Sequence, residues 1–421
     1  MIETISLLPG VTLRACRDTR FKQGCLSFQL VRQMEAAESA MNALIPSVLL
    51  RGTRRCRDLR AITEHLDTLY GAAVSPLVRR VGDYQTTGLF CGFMDDRFAL
   101  PGDQVLEPMA AFLEELLLDS PLENDAFLES FVESEKKNLI ATIESERNDK
   151  RIYAMNQLLK ILCQEDTFGL PRLGEPEQVA AITPKKLYDH YKSILRTSPI
   201  EIFYVGSAEV HQVAALMMPL LSRLDRNPQS LCPQTSFHNS PVQDLVETMD
   251  VAQGKLCMGF TTPITNRTKQ FPAMQVMNTI FGAGMTSKLF VNVREKMSLC
   301  YSIGSGYYGT KGIMTVSAGI DFDKEQTVRQ EVLHQLRLCQ EGQITEIELK
   351  SAKNALLNSL RATHDSPGSI EGYYATAALS GMGMTPETYM AAVEAVTLED
   401  VVAAAKLLQP HCTYFLKGGN Q

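Results

Sequence analysis

Gly282-Ala283-Gly284-Met285-Thr286-Ser287-Lys288-Leu289-Phe290-Val291-Asn292-Val293-Arg294-Glu295-Lys296-Met297-Ser298-Leu299-Cys300-Tyr301-Ser302-Ile303-Gly304-Ser305 reads as a turn, a helix and the start of a strand. Gly282 and Gly284 supply permissive backbone for the turn, and Thr286 or Ser287 is placed to cap the helix. Leu289, Val293, Lys296 and Met297 fall three or four apart and so share a helix face. Leu299 to Ile303 then changes to strand composition. Arg294 and Tyr301 are the chemical candidates here. Arginine carries a rigid donor fork for a carboxylate or oxyanion, and tyrosine a single hydroxyl on a stiff ring. The plainer alternative is a surface arginine and a half-buried strand tyrosine.

Outward from this stretch, the chain shows one plan twice. At 421 residues it exceeds what one core supports. In the first half, strands are expected at 10–16 and 25–31, helices at 36–50 and 57–68, and a hairpin of 77–81 with 86–94 across Gly82-Asp83. An amphipathic helix at 105–116 and a long helical stretch from 124 to 163 follow. Thr183-Pro184 then opens a helix that leads to the strand 200–205. The second half repeats this with a strand at 255–260, a helix at 271–281, a hairpin of 301–308 with 313–320 and a helix through 328–339. A capping box at Thr345–Glu348 opens a helix to 362, and further helices begin after Thr385 and Thr397. Both halves close alike, on a threonine-capped helix, a polar break and a strand ending in Gly206 or Gly418. A repeat of roughly 200 residues means duplicated domains, since solenoid units run to about 20–50 residues. The expected architecture is α+β: two homologous domains, each an antiparallel-rich sheet with helices on one face, arranged as a clamshell around a concave interior. The expected boundaries are 1–224 and 251–421, with the Pro-, Ser-, Asn- and Gln-rich stretch 225–250 as linker.

Composition narrows the function. Net charge is −7 with pI near 5.6, which gives no electrostatic footprint for nucleic acid or an anionic membrane. No apolar run approaches the ~20 residues of a membrane span, and the N-terminus lacks the pattern of a secretory signal. The ten cysteines have no metal-ligand spacing and read as packed thiols of a cytoplasmic protein. The seven histidines are all more than five residues apart, and neither a GxxxxGK[ST] loop nor a GxSxG elbow is present. No cofactor and no metal are expected.

With two α+β halves of this size, G-A-G-M-T-S-K-L-F, V-N-V-R-E-K and C-Y-S at 282–302 resemble the pitrilysin/insulinase family of inverzincin metallopeptidases. Ile344–Lys353 and the run from Gly174 to Thr183 fit the same family, and the resemblance spans nearly the whole chain. Its zinc motif, H-x-x-E-H, puts two histidines on one helix face with a glutamate as general base for the bound water. The motif sits just before a segment like Val48-Leu49-Leu50-Arg51-Gly52-Thr53, so its three positions fall on Ala43, Pro46 and Ser47. The third ligand position falls on Thr142, while Glu135 keeps another acidic position of the family. None of Ala43, Pro46, Ser47 or Thr142 matches a family ligand or base.

The resemblance therefore implies a zinc-less subunit. In such peptidases an arginine and a tyrosine of the second domain face the zinc, and some members divide zinc and Arg/Tyr between two chains. Arg294 and Tyr301 occupy the Arg/Tyr positions. The implied role is to complete the active site of a zinc-bearing partner, as a heterodimer or homodimer, and to bind peptide substrate. No nucleic acid, no membrane and no independent activity are implied. The alternative is a structural or peptide-binding scaffold, like family subunits of mitochondrial complexes. Residues 131–154 with the R-E-K-x3-C-Y segment also resemble zinc-less members of a bacterial gene pair associated with aminopentanol modification of elongation factor P.

Overall fold

A computed structural model describes residues 2–231 and 244–419. In chain order the first half holds β1 (Ile2–Leu8), β2 (Val11–Arg17), β3 (Gln23–Gln33), α1 (Ser39–Leu49), α2 (Leu59–Thr68), β4 (Ala73–Val81), β5 (Tyr84–Met94) and α3 (Leu106–Leu118). It continues with β6 (Leu122–Glu123), β7 (Ala126–Phe127), α4 (Glu129–Asn148), α5 (Lys150–Leu162), α6 (Pro176–Ala180), α7 (Pro184–Thr197), β8 (Ile200–Gly206) and α8 (Val210–Ser222). The second half holds β9 (Asp244–Met249), β10 (Gly254–Thr261), α9 (Phe271–Phe281), a π-helical turn Leu289–Lys296, β11 (Ser302–Tyr308) and β12 (Ile313–Ile320). It ends with α10 (Glu325–Gln340), α11 (Glu346–Ala362), α12 (Pro367–Ser380), α13 (Pro386–Ala395), α14 (Leu398–Lys406) and β13 (Gln409–Gly418).

The two main sheets share one topology. The first runs β4-β5-β3-β8-β2-β1 and the second β11-β12-β10-β13-β9. In each, the fourth and fifth strands pair parallel, β8 with β2 and β13 with β9, while the earlier pairs are antiparallel. The first sheet adds β1 outside β2. The match settles the class as α+β with a duplicated plan. It also assigns β9 as the counterpart of β2, so the last residues expected as linker are a sheet strand. Of that stretch, 225–231 is loop, held by Asn227 N donating to the Arg196 carbonyl (2.9 Å) and Gln229 N to that of Thr197 (2.8 Å). Residues 232–243 lie outside the described residues.

The chain folds into two compact units that are not contiguous in sequence: Met1–Ser145, Leu170–Pro233 and His364–Thr376 form one, and Glu146–Gly169, Gln234–Thr363 and Ala377–Gln421 the other. Each half thus gives a segment to the other unit. In the first unit α1, α3, α7 and α8 bury Leu44, Val48, Phe112, Leu113, Leu187, Ile194 and Met217 in one core with Leu13, Phe28 and Ile202 of the sheet. On its other face, Ile370 of α12 packs on Cys16, Cys25 and Val205. With both faces covered, β3 is buried at nearly every position and shows no period-two alternation. In the second unit α5 plays the corresponding part: Ala154, Leu158 and Leu162 pack on Cys257, Cys412 and Tyr414.

Each donated segment is anchored by a buried ion pair. Glu371 of α12, with no exposed side-chain surface, takes both Nη groups of Arg79 at 2.9 and 2.8 Å. It also accepts from Ser27 Oγ and Gln29 Nε2 at 2.8 Å each. In the second unit Asp166, just beyond α5, meets Lys311 of the β11–β12 turn at 2.8 Å with both side chains buried. That turn needs Gly312: its φ is +66°, and a Cβ there would lie 2.2 Å from the Thr262 carbonyl oxygen.

The long helix expected over 124–163 is broken. Residues 122–127 form the β6–β7 hairpin, and Asp149 separates α4 from α5 by accepting from Arg151 N (2.9 Å) as an N-cap. No helix among the described residues is long and apolar enough to cross a membrane.

Candidate functional site

The stretch from Gly282 to Ser305 joins the core helix α9 to the edge strand β11. Of the two glycines in its opening turn, only Gly282 answers a close approach: a Cβ there would lie 2.6 Å from Ser305 Oγ and 2.7 Å from Leu289 Cδ1. Gly284 has open space around it, and neither adopts a positive φ. Ser287 caps the following turn, accepting from Phe290 N at 3.3 Å. Lys288 is pulled inward by Glu348 of α11, Nζ to Oε1 2.9 Å.

The helix from Leu289 to Lys296 is π-wound, not α-wound, and Met297 N bonds the Asn292 carbonyl five residues back at 3.0 Å. The wider turn changes which side chains share a face. Leu289 and Val293 are fully buried, whereas Lys296 and Met297, expected beside them, are exposed. Such turns recur at functional sites because they rotate one side chain out of helical register. The chain leaves the turn through Ser298, whose φ of +49° is left-handed for a residue with a side chain. Leu299 N closes back on the Val293 carbonyl six residues earlier at 3.1 Å. Strand pairing begins with Tyr301 N on the Gly319 carbonyl (2.9 Å), so Leu299 and Cys300 are not yet strand.

This geometry brings Arg294 and Tyr301 together. Arg294 Nε donates to the Tyr301 carbonyl at 3.0 Å, and its guanidinium lies 4.6 Å from the centre of the Phe290 ring. Its Nη1 pairs with Glu295 at 2.7 Å. The Tyr301 ring is 62 % exposed, and its hydroxyl donates to Asp321 Oδ1 at 3.0 Å. Lys324 Nζ holds the other oxygen of Asp321 at 2.7 Å. All five line one open depression of about 420 Å³, with Ser298, Leu299 and Cys300. The hydrogen bond to Asp321 raises the Tyr301 pKa and so keeps the phenol neutral. Lys324, then Tyr301, lower that of Asp321. Burial pushes the Cys300 thiol up to about 11, which leaves it protonated and unreactive at neutral pH. Two cations and two carboxylates give the depression no net charge.

Asp321 and Lys324 were not singled out in the sequence. The hairpin register was the available signal: with 301–308 paired to 313–320, the residue after β12 falls beside Tyr301.

The positions where the resemblance puts a zinc motif lie in the first unit. Ala43 and Pro46 are buried in α1, and Ser47 is half-buried. Thr142 is exposed on α4 and returns its hydroxyl to the Asn138 carbonyl at 2.9 Å. Glu135 pairs with Arg51 at 3.3 Å and accepts from Asn138 Nδ2 at 3.1 Å. Among the described residues no group of three or more His, Cys, Asp or Glu side chains is placed to hold a metal ion.

At Ala43, Pro46, Ser47 and Thr142, where the resemblance puts a zinc motif, this duplicated α+β chain carries neutral or hydroxyl side chains. The chain is similar to members of the pitrilysin/insulinase (M16) family that lack the zinc motif: residues 181–356 match the family model described as the peptidase M16 inactive domain. It is 29 % identical over 409 residues to the probable inactive metalloprotease YmfF of Bacillus subtilis, covering 97 % of this chain and 96 % of that one. A crystal structure of a conserved protein from Enterococcus faecalis superimposes with a TM-score of 0.90 at 26 % identity, over 100 % of this chain and 99 % of that one. The peptidase M16 inactive domain from Pseudomonas fluorescens matches in fold, with a TM-score of 0.80 at 17 % identity over 100 % and 98 % of the two chains.

Proposed function

We propose that this chain is the non-catalytic subunit of a two-chain zinc peptidase in the bacterial cytoplasm, lending Arg294 and Tyr301 to the active site of a zinc-bearing family member and helping to bind its peptide substrate. The observation that carries the reading is the convergence of Arg294 and Tyr301 on one depression, through the 3.0 Å bond from Arg294 Nε to the Tyr301 carbonyl. A donor already aimed where an oxyanion develops contributes ~3–4 kcal/mol in a water-poor site. The phenol suits that task as a neutral donor, and the guanidinium suits a substrate carbonyl or carboxylate. The nine cysteines of the described residues are buried and form no disulfide with one another, which fits a reducing compartment.

The scaffold alternative draws on the same geometry, because Glu295 and Asp321 already satisfy both side chains. Coexpression with a family member that retains H-x-x-E-H separates the two readings. Arg294→Ala and Tyr301→Phe should each lower turnover of the complex at least about tenfold, equivalent to ~1.4 kcal/mol, with folding and pairing intact. Full turnover in both variants refutes the subunit reading and leaves the scaffold.

A further inference from the structure

The proton of Tyr301 already has an acceptor. A phenol carries one proton, so it cannot donate fully to Asp321 and to a substrate oxygen at once. Asp321 is itself divided: Oδ1 takes the Tyr301 hydroxyl at 3.0 Å, and Oδ2 takes Lys324 Nζ at 2.7 Å. Tyr301 is largely exposed, so a substrate oxygen can approach its hydroxyl. The other charges at the depression are committed elsewhere. Glu295 is bound by Arg294, and the charge of Asp323 acts on Lys324.

We propose that Asp321 and Lys324 regulate this donor: Asp321 parks the Tyr301 hydroxyl, and Lys324, by sharing the carboxylate, loosens that hold so that a substrate oxygen takes the hydrogen bond over. This rests on the reading above that Tyr301 serves a partner's site. Asp321 and Lys324 are positioning residues, since they act through Tyr301. The two act with opposite sign, a signature that a merely structural role does not produce. Removing the acceptor frees the donor, whereas removing the ammonium leaves the whole carboxylate to tyrosine and tightens the hold.

The test has two arms. In the isolated full chain, the tyrosinate titration is followed by ultraviolet absorbance, and the Tyr301 component is taken as the difference from each variant's Tyr301→Phe counterpart. Asp321→Ala should lower the Tyr301 midpoint and Lys324→Ala should raise it. In the complex with the zinc-bearing subunit, using a casein-derived peptide mixture as substrate, Asp321→Ala should raise kcat/KM and Lys324→Ala lower it. Each change should be about two- to fivefold, the range of an exposed charged hydrogen bond. The double variant should match Asp321→Ala. Midpoints that do not move apart, or two single variants that both lower kcat/KM or both leave it unchanged while Tyr301→Phe costs tenfold, overturn the proposal. If Tyr301→Phe itself leaves turnover intact, the subunit reading fails and the regulation fails with it. Opposed midpoint shifts would then show only that Asp321 holds the phenol.

Discussion

Replacing Glu371 or Arg79 by alanine should loosen the first unit by amounts that differ in a stated order. The Glu371 carboxylate accepts four hydrogen bonds, two from Arg79 and one each from Ser27 and Gln29. It is fully buried, as are Ser27 and Gln29, whereas the Arg79 side chain keeps 34 % of its surface exposed. Breaking a buried pair from one side costs about 3–5 kcal/mol, because the remaining charge is stranded. Without Glu371, the guanidinium turns to water, and Gln29 keeps its 3.1 Å bond to Ser27. That places Glu371→Ala at the low end, about 3 kcal/mol. Arg79→Ala strands a carboxylate that no water reaches, which places it at the high end, about 5 kcal/mol. The double change Glu371→Leu with Arg79→Met leaves no stranded charge and should recover most of the loss. Urea unfolding followed by circular dichroism gives the order. Hydrogen exchange of peptides covering 364–376 and 23–33 gives the location, with exchange about a hundredfold faster for a 3 kcal/mol loss. Single variants within about 0.5 kcal/mol of wild type, as at ordinary surface sites, would refute the claim that this pair anchors α12.

Ser298→Gly should raise stability by about 0.5–1 kcal/mol, because the left-handed φ of +49° is strained for serine and free for glycine; an unchanged or lower melting temperature would contradict this. In acid, the Arg223 hydrogen bonds hold the Asp119 carboxyl below its ordinary 3.8, so this pair stabilises the fold above that value and is lost as pH falls through the lower folded one. Both partners are partly exposed, so Arg223→Ala should flatten the acid limb of a stability–pH curve only slightly, by under about 1 kcal/mol, and an unaltered limb would remove the pair from the account. Elemental analysis of the purified full chain should find no stoichiometric zinc, given Ala43, Pro46, Ser47 and Thr142 at the motif positions; about one tightly held zinc per chain would overturn that expectation.

What the sequence disclosed follows physical one-sidedness. Thr183, Thr345 and Thr397 announced their helices, and each accepts from the backbone N–H three residues on. The helix 271–281 and the hairpin turns at Gly82 and Gly312 stood out through composition and spacing. The elements that escaped notice lack one-sided patterns. β1 and β9 are edge strands with little burial on either face, so no alternation is written into them. Half of the α12 residues are half-buried, and its sequence, rich in small residues, shows no apolar stripe. Pro219 lies inside α8 and disguises it. Exchange of segments between units leaves no local signal, since it depends on where α5 and α12 dock. At the site, Arg294 and Tyr301 lay within one short motif, whereas Asp321 and Lys324 join them only through hairpin register.

The α1 positions where the resemblance puts a zinc motif are tied into a hydrogen-bond network with β5 and α7. Proline at position 46 has no N–H for the Asn42 carbonyl four residues back. That carbonyl is taken instead by Thr87 Oγ1 of β5 at 2.6 Å. The Asn42 side chain continues the substitution: Nδ2 donates to Gln85 Oε1 at 2.9 Å, so Oδ1 is the acceptor for His190 Nε2 at 2.7 Å. Burial lowers the His190 pKa, which favours the neutral ring that this bond uses. Gln85 completes the network by donating to the Ser39 and Arg172 carbonyls at 3.0 and 2.7 Å. A histidine at position 43 would have to displace core beside Leu44 and Ile45, where Ala43 is only 4 % exposed. A glutamate at 46 would return an N–H to a carbonyl that Thr87 already occupies and would bring a charge into a buried position. Position 142 faces water and bonds its own helix. Histidines and a glutamate at 43, 46 and 47 would therefore require β5 and α7 to change along with α1, whereas on the proposed reading Tyr301 needs only to turn its hydroxyl from Asp321 to a substrate oxygen.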